Sequence, residues 1–181
     1  MLVLRGAPAF STFRLNKWLT RLRDIAAVRE LHAEFVHFVD LSHPLTVQEQ
    51  VVLEQLLQYG PRQETLFEPH GQLFLVVPRV GTISPWSSKA TDIARNCGLT
   101  SVRRLERGIA FRVGGDFTPE QVQAISAALH DRMTEAVLDT LDAASVLFVQ
   151  EQPAPSMTVD ILSGGRAALV QANSDLGLAL A

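Results

Sequence analysis

The residues best equipped for chemistry follow an apolar run at 73–77 and open the next predicted helix. Ser84 is a favourable N-cap and Pro85 suits the first helical position, so a helix is predicted to begin there. A helix N-terminus offers unbonded N–H groups and positive potential to an anion. The side chains available to such a site are Arg79, Thr82, Ser84, Trp86, Ser87, Ser88 and Lys89.

The same segment has a purely structural interpretation, in which Ser84 and Pro85 cap a helix and Trp86 packs into the core. The chain has no Gly-x-x-x-x-Gly-Lys-[Ser/Thr] motif, so a Walker-type phosphate loop is excluded. The residues alone leave both alternatives open, an anion site and a plain helix cap.

No histidine pair has the spacing of a metal site or a catalytic pair. His32 and His37 lie five positions apart in a predicted extended segment, so they point to opposite faces. The single cysteine, Cys97, falls at a predicted helix end, where the dipole disfavours a thiolate. We therefore predict no metal site and no catalytic residue in this chain.

His130, Arg132 and Glu135 form a second polar group, at the end of another predicted helix. A His and an Arg at that end complement the negative pole of the helix dipole, which is a structural interpretation. The same three side chains suit an ionic contact with a partner domain, and the sequence leaves both interpretations open.

Composition restricts the class of protein. The chain has 181 residues, 47% of them hydrophobic, and a formal net charge of −3. This charge predicts neither a nucleic-acid nor a membrane partner. No apolar run reaches the roughly 18 residues of a membrane span, and no signal peptide is visible, so we expect a cytoplasmic protein.

The predicted strands and helices that must position these residues follow one another in an order that is repeated along the chain. Thr46 with Glu49, and Thr118 with Gln121, have capping-box spacing. Apolar patterning predicts helices at 10–25, 46–59, 85–96 and 118–130, and strands at 2–4, 28–41, 73–77, 102–113 and 133–137. The 28–41 segment fits either one strand or a hairpin, and Gly108 is predicted to bend the 102–113 segment.

The second half of this order repeats the first. Residues 28–31, Val-Arg-Glu-Leu, match residues 102–105, Val-Arg-Arg-Leu, 74 positions later, and residues 10–12 parallel residues 86–88. We predict an α+β fold of two ferredoxin-like β-α-β-β-α halves, at roughly 1–68 and 69–138. Because each half has little core of its own, the halves should pack as a pseudo-dimer with antiparallel sheets.

The pattern changes after residue 138. Residues 139–155 are predicted to hold one more helix and a Pro-rich connector. Residues 156–181 form a short apolar-patterned segment, for which a disordered tail and a pairing with another copy both remain open.

Residues 78–93, Pro-Arg-Val-Gly-Thr-Ile-Ser-Pro-Trp-Ser-Ser-Lys-Ala-Thr-Asp-Ile, closely resemble a signature of the large-type phosphoribosylformylglycinamidine synthases (PurL). These enzymes are also called formylglycinamide ribonucleotide amidotransferases, and the resemblance is to their N-terminal region. Further similar segments lie at residues 4–11, 96–99, 104–108, 129–135 and 177–180.

The resemblance implies an N-terminal domain similar to a dimer of the small PurS subunit, with residues 156–181 beginning a linker region. Its partners would be the synthase and glutaminase domains of the same polypeptide, where ATP and magnesium bind; no cofactor is implied in this chain. The loop at 79–89 would lie near the substrate site, and His130, Arg132 and Glu135 would dock the domain. Alone, the chain should not catalyse the reaction. A stand-alone ferredoxin-like regulatory module that binds a small metabolite is the alternative.

Overall fold

The structure, a computed structural model, describes residues 1–60, 70–149 and 155–179. It confirms the predicted α+β class, but each half has the order β-α-β-α rather than the predicted β-α-β-β-α, because the 28–41 and 102–113 segments each form one strand. The elements are β1 (Leu2–Pro8), α1 (Thr12–Arg23), β2 (Glu30–Leu41), α2 (Val47–Leu56), β3 (Gln72–Pro78), α3 (Pro85–Asn96), β4 (Val102–Gly114), α4 (Pro119–Leu129) and β5 (Glu135–Leu138). A 3-10 helix (Asp142–Phe148) and α5 (Ile161–Leu176) follow.

The strands form one antiparallel sheet in the order β1-β2-β4-β3-β5. The 28–41 segment is a single long strand rather than a hairpin, because β2 pairs with β4 along its whole length. The predicted bend at Gly108 is wrong, since β4 continues through it. Gly108 instead permits close approach: a Cβ there would lie 2.9 Å from the Val76 carbonyl oxygen.

The strand register confirms the repeat read at an offset of 74. Phe35 lies directly opposite Ile109, its own equivalent, since 35 + 74 = 109. Equivalent residues face each other only on an approximate two-fold axis, so the halves are related like the subunits of a dimer. Ser11 and Ser84 are the equivalent N-caps, which makes Phe13 the counterpart of Trp86; the pairing of residues 10–12 with 86–88 is wrong by three positions.

Alternation along the strands sends side chains to two faces of the sheet. The face that carries the helices has two apolar clusters, one under α1 and α4 around Phe111, the other under α2 and α3 around Leu53. The opposite face is covered by the 3-10 helix, and Phe38 of the sheet and Leu147 of that helix are buried in the contact. Between these two clusters, along β2 and β4, lie Phe35, His37 and Arg107, which belong to one part of the site described below.

Both predicted capping boxes are present. The Thr46 hydroxyl accepts from the Glu49 N–H while the Glu49 carboxylate accepts from the Thr46 N–H, and Thr118 and Gln121 repeat the arrangement. The helix that follows Thr46 ends earlier than predicted, at Leu56. Tyr59 therefore lies beyond the helix instead of inside it.

Residues 151–181 form a second compact unit. Its helix α5 begins at the N-cap Asp160 and is kinked at Gly165, whose backbone is non-helical. Residues 152–154 of the predicted connector, and the predicted boundary between halves at 68–69, lie outside the described residues. Within the described parts of both units, no helix has the length and apolar character of a membrane span.

Candidate functional site

The two polar segments singled out in the sequence lie side by side at one end of the sheet. Strand β3 ends at Pro78, which pairs with Glu135 of β5. The next residue, Arg79, donates its N–H to the Thr134 carbonyl oxygen at 2.9 Å. We call residues 79–84 and 131–134 the loop pair. The Thr82 hydroxyl closes the first loop by donating to the Arg79 carbonyl oxygen at 2.6 Å.

Ser84 is engaged on both sides by its own chain. Its hydroxyl oxygen accepts from the Ser87 N–H at 3.0 Å, and its O–H donates to the Glu106 carboxylate at 3.1 Å. Glu106 is fully buried and accepts from Nε of Arg104 at 3.0 Å. Arg104 also donates to the Thr82 carbonyl oxygen at 2.9 Å. The anionic group that Ser84 contacts thus belongs to the protein, which favours the helix-cap interpretation for Ser84.

Strands β3 and β4 pair as far as Val76 and Ile109, and the other edge of β3 pairs with β5 from Leu75 to Pro78. Beyond the last β3–β4 pair, β4 bonds to α3 instead, because the Thr91 hydroxyl accepts from the Leu105 N–H at 3.0 Å. Ser87 is fully buried on the same helix, and its hydroxyl has no hydrogen-bond partner among the described residues.

The other site residues predicted in the 79–89 segment are exposed to solvent or pack on the side of α3. Arg79, Ser88 and Lys89 are exposed, and the Ser88 hydroxyl is 3.5 Å from the Ser84 carbonyl oxygen. Trp86 is half-buried and packs beside the cluster around Leu53. The structure therefore separates Trp86 and Lys89, on the side of α3, from the loop pair at the end of β3.

The predicted docking residues at the end of α4 also divide into residues that hold the turn together and a residue that is exposed. Nδ1 of His130 donates to the Ser126 carbonyl oxygen at 2.6 Å, so it caps the helix end. The Glu135 carboxylate accepts from the Asp131 N–H at 2.8 Å and closes the turn. Arg132 is exposed, beside an exposed Met133. His130 and Glu135 shape the loop pair, while Arg132 is presented by it.

A third group of residues was not identified from the sequence. We call it the Arg107 cluster: Phe35, His37, Tyr59, Trp86 and Arg107. The guanidinium carbon of Arg107 lies 4.3 Å from the ring centre of Phe35, 4.8 Å from that of Trp86 and 5.8 Å from that of Tyr59. These distances are those of cation–π contacts, which stabilise a partly desolvated cation.

Hydrogen bonds order the cluster. Nη1 of Arg107 lies 3.2 Å from the Tyr59 oxygen, which in turn lies 2.5 Å from Nε2 of His37. A guanidinium can only donate, so the Tyr59 oxygen accepts from Arg107. When the imidazole is neutral with its proton on Nδ1, the Tyr59 hydroxyl can donate to Nε2 of His37. Burial, and next the charge of Arg107, lower the pKa of His37 from 6.5 to about 4, which agrees with that arrangement.

The sequence contained a signal for two members of the cluster. Phe35 and His37 share the parity of the apolar residues Leu31, Ala33, Val39 and Leu41, so His37 interrupts an apolar face. Arg107 interrupts the corresponding face of β4. The space for the imidazole comes from Gly6 on β1, where a Cβ would lie 2.6 Å from Cε1 of His37.

A groove adjoins the Arg107 cluster between α2 and α3. Its volume is about 200 Å³. Tyr59 and Trp86 are common to the cluster and the groove, and Lys89 adds a second cation. The remaining lining residues are apolar: Leu56, Leu57, Ala90, Ile93 and Leu105.

Metal and thiol chemistry receive no geometric support from the described parts of the chain. No three His, Cys, Asp or Glu side chains come together there as ligands for an ion. Cys97 is exposed and forms the C-cap of α3. The groups that are brought together are cationic, aromatic and hydrogen-bonding, and they suit binding and docking.

The fold defines a duplicated, ferredoxin-like α+β domain whose two halves share one sheet. A family model described as the N-terminal region of formylglycinamide ribonucleotide amidotransferase matches residues 34–148. Because the match covers more than half of the 181 residues, the chain belongs to this family. This confirms the resemblance read from residues 78–93 and sets the domain in a purine-biosynthetic amidotransferase.

Proposed function

We propose that this chain is the structural N-terminal domain of an enzyme that forms formylglycinamidine ribonucleotide. Formylglycinamide ribonucleotide, glutamine and ATP would be consumed, and glutamate, ADP and phosphate released, on the synthase and glutaminase domains of the same polypeptide. ATP and magnesium would bind there. The domain would dock on the synthase domain, help to close its substrate site and help to shape the path of ammonia.

The observation that carries this proposal is the apolar surface of the loop pair. Ile83 is 61% exposed and Met133 75% exposed, on neighbouring loops joined by the Arg79–Thr134 hydrogen bond. Exposed apolar side chains grouped on a surface are typical of a protein–protein contact. Family membership supplies the occupant, namely the synthase domain of the same enzyme.

The charge and the rigidity of the loop pair also favour docking on the synthase domain. Arg79 and Arg132 are exposed within the loop pair, so they can pair with carboxylates of the partner domain. The first loop is held at its base by Thr82 and Ser84, through Arg104 and the buried Glu106. A loop held in this way loses little conformational freedom when it docks.

The test is a kinetic comparison in the full-length amidotransferase. Ile83→Asp and Met133→Asp each place a carboxylate in the proposed contact. We expect turnover to fall, or the Michaelis constant for the ribonucleotide to rise, by about fivefold or more, since an interface anchor contributes more than about 1 kcal/mol. Unchanged kinetics in both variants, with the fold intact, would remove the loop pair from the contact.

A matched control is Val47→Asp. Val47 is 83% exposed at the first position of α2, where an aspartate is favourable to the helix dipole. It introduces the same charge into an equally exposed apolar site outside the loop pair. Its kinetics should match those of the unmodified enzyme, whereas a similar loss would attribute the effect to added charge alone.

A further inference from the structure

Arg107 is a half-buried cation without a carboxylate partner among the described residues. The ion pairs formed there join Arg5 to Glu34, Arg29 to Asp116, Arg103 to Asp40 and Arg104 to Glu106. The guanidinium of Arg107 makes one hydrogen bond within the described chain, to the Tyr59 oxygen. A guanidinium has five N–H donors, so most of its capacity remains for another acceptor.

The duplication indicates that the fold itself does not need this charge. Arg107 lies opposite His37, and the equivalent pair in the other half is Ala33 and Phe111, because 107 − 74 = 33 and 37 + 74 = 111. That pair forms ordinary core, with Phe111 stacked on Phe10 at 5.8 Å between ring centres. Since a desolvated charge costs stability, its presence in only one half points to binding.

The groove between α2 and α3 supplies the rest of a ligand site. A cavity of about 150 Å³ holds a benzene ring, so its volume of about 200 Å³ admits one small ring with a substituent. Most of its lining residues are apolar, and Lys89 and Tyr59 are the polar ones. The charges of Lys89 and Arg107 select for a negative ligand.

We propose that the Arg107 cluster and the adjoining groove bind a small organic anion. Its carboxylate or phosphate would contact Arg107 and Lys89, and its apolar body would lie against Trp86, Ala90 and Ile93. This site is separate from the loop pair. It can be tested on the 181-residue chain by itself, so its outcome does not depend on docking to the synthase domain.

Trp86 provides a direct signal. The chain has two tryptophans, so Trp18→Phe leaves Trp86 as the sole indole. Fluorescence titration of that variant with benzoate, phenyl phosphate and neutral benzamide should give a saturable change for at least one anion. A ligand of about ten heavy atoms should dissociate in about the millimolar range. Benzoate and phenyl phosphate distinguish a carboxylate site from a phosphate site, and benzamide should bind at least tenfold more weakly.

Three further variants in the Trp18→Phe background test the assignment. Arg107→Met should weaken anion binding at least tenfold, because it removes a charged hydrogen-bond donor. Ala90→Phe should abolish binding by filling the groove without touching the charge. Arg103→Met is the control, since Arg103 lies exposed on the same strand and pairs with Asp40; it should bind as before.

Several outcomes would refute the proposed anion site. These are the absence of a saturable Trp86 signal at tens of millimolar anion, equal affinity for benzamide, or unchanged affinity in both Arg107→Met and Ala90→Phe. Circular dichroism checks the fold of every variant. If Arg107→Met fails to fold, Lys89→Met and Ala90→Phe decide: binding that persists unchanged in both contradicts the proposal.

Discussion

Acid should destabilise the domain through His37, and replacing His37 should reduce that effect. In the folded protein the imidazole is buried beside Arg107, which lowers its pKa from 6.5 to about 4. When the pH falls from 6.5 towards 4, the unfolded chain therefore binds a proton that the folded chain refuses. The stabilising contribution is complete above pH 6.5 and is lost as the pH falls to about 4.

The size of the effect follows from the two pKa values. Each pKa unit corresponds to about 1.4 kcal/mol, so the complete loss is about 3 kcal/mol. Between pH 7 and pH 5 the same linkage gives a loss of about 2 kcal/mol in the free energy of unfolding. That is a large part of the stability of an ordinary domain. The other titratable or charged groups that face the imidazole are Arg107 and the Tyr59 hydroxyl.

Urea unfolding at pH 7 and pH 5 measures the difference. His37→Gln keeps an acceptor near Nε2 for the Tyr59 hydroxyl but cannot take up the proton. The unmodified chain should lose about 2 kcal/mol more than this variant between the two pH values. His32→Gln, on the other face of β2, should keep the steep dependence. Parallel pH dependence in the unmodified chain and His37→Gln would refute the assignment of a buried, neutral imidazole.

Three further stability predictions concern the supports of the two sites. Gly6→Ala places a Cβ 2.6 Å from the His37 ring, and this overpacking should cost about 1–3 kcal/mol in thermal unfolding. Ser84→Ala removes the N-cap and one donor to Glu106, so the free energy of unfolding in urea should fall by about 1–3 kcal/mol. Arg104→Met leaves the Glu106 carboxylate buried without its cation, and calorimetry should show a loss of about 3–5 kcal/mol. Adding Glu106→Gln to Arg104→Met should restore part of that stability, and a further loss would contradict the pairing.

The sequence predicted the elements because period-3.6 patterning and capping boxes each leave a mark within a few residues. The duplication was visible because a short pattern, Val-Arg-x-Leu, recurs 74 positions later. The strand register, in which Phe35 pairs with its own equivalent, Ile109, came only from the structure. The bend at Gly108 was mispredicted because a glycine that permits close strand contact has the same local appearance as one that permits a turn.

The Arg107 cluster depends on contacts across the chain, which local patterns do not contain. Tyr59 lies 48 positions from Arg107 and reaches it only because α2 ends at Leu56. The alternation along β2 and β4 showed that His37 and Arg107 are polar residues on apolar strand faces. It did not show which helix would cover them. The bond between Ser84 and Glu106 is a similar case. The two residues are 22 positions apart, and only the packing of α3 against β4 brings them together.

In the docking that we propose, the loop pair contacts the synthase domain. Hydrogen exchange of the amides at residues 79–84 and 131–134 tests it directly, when the 181-residue chain is compared with the full-length amidotransferase. Docking predicts slower exchange of both loops in the full-length enzyme, with unchanged exchange at the exposed start of α2 around Val47. Equal exchange rates of both loops in the two proteins would contradict the claim.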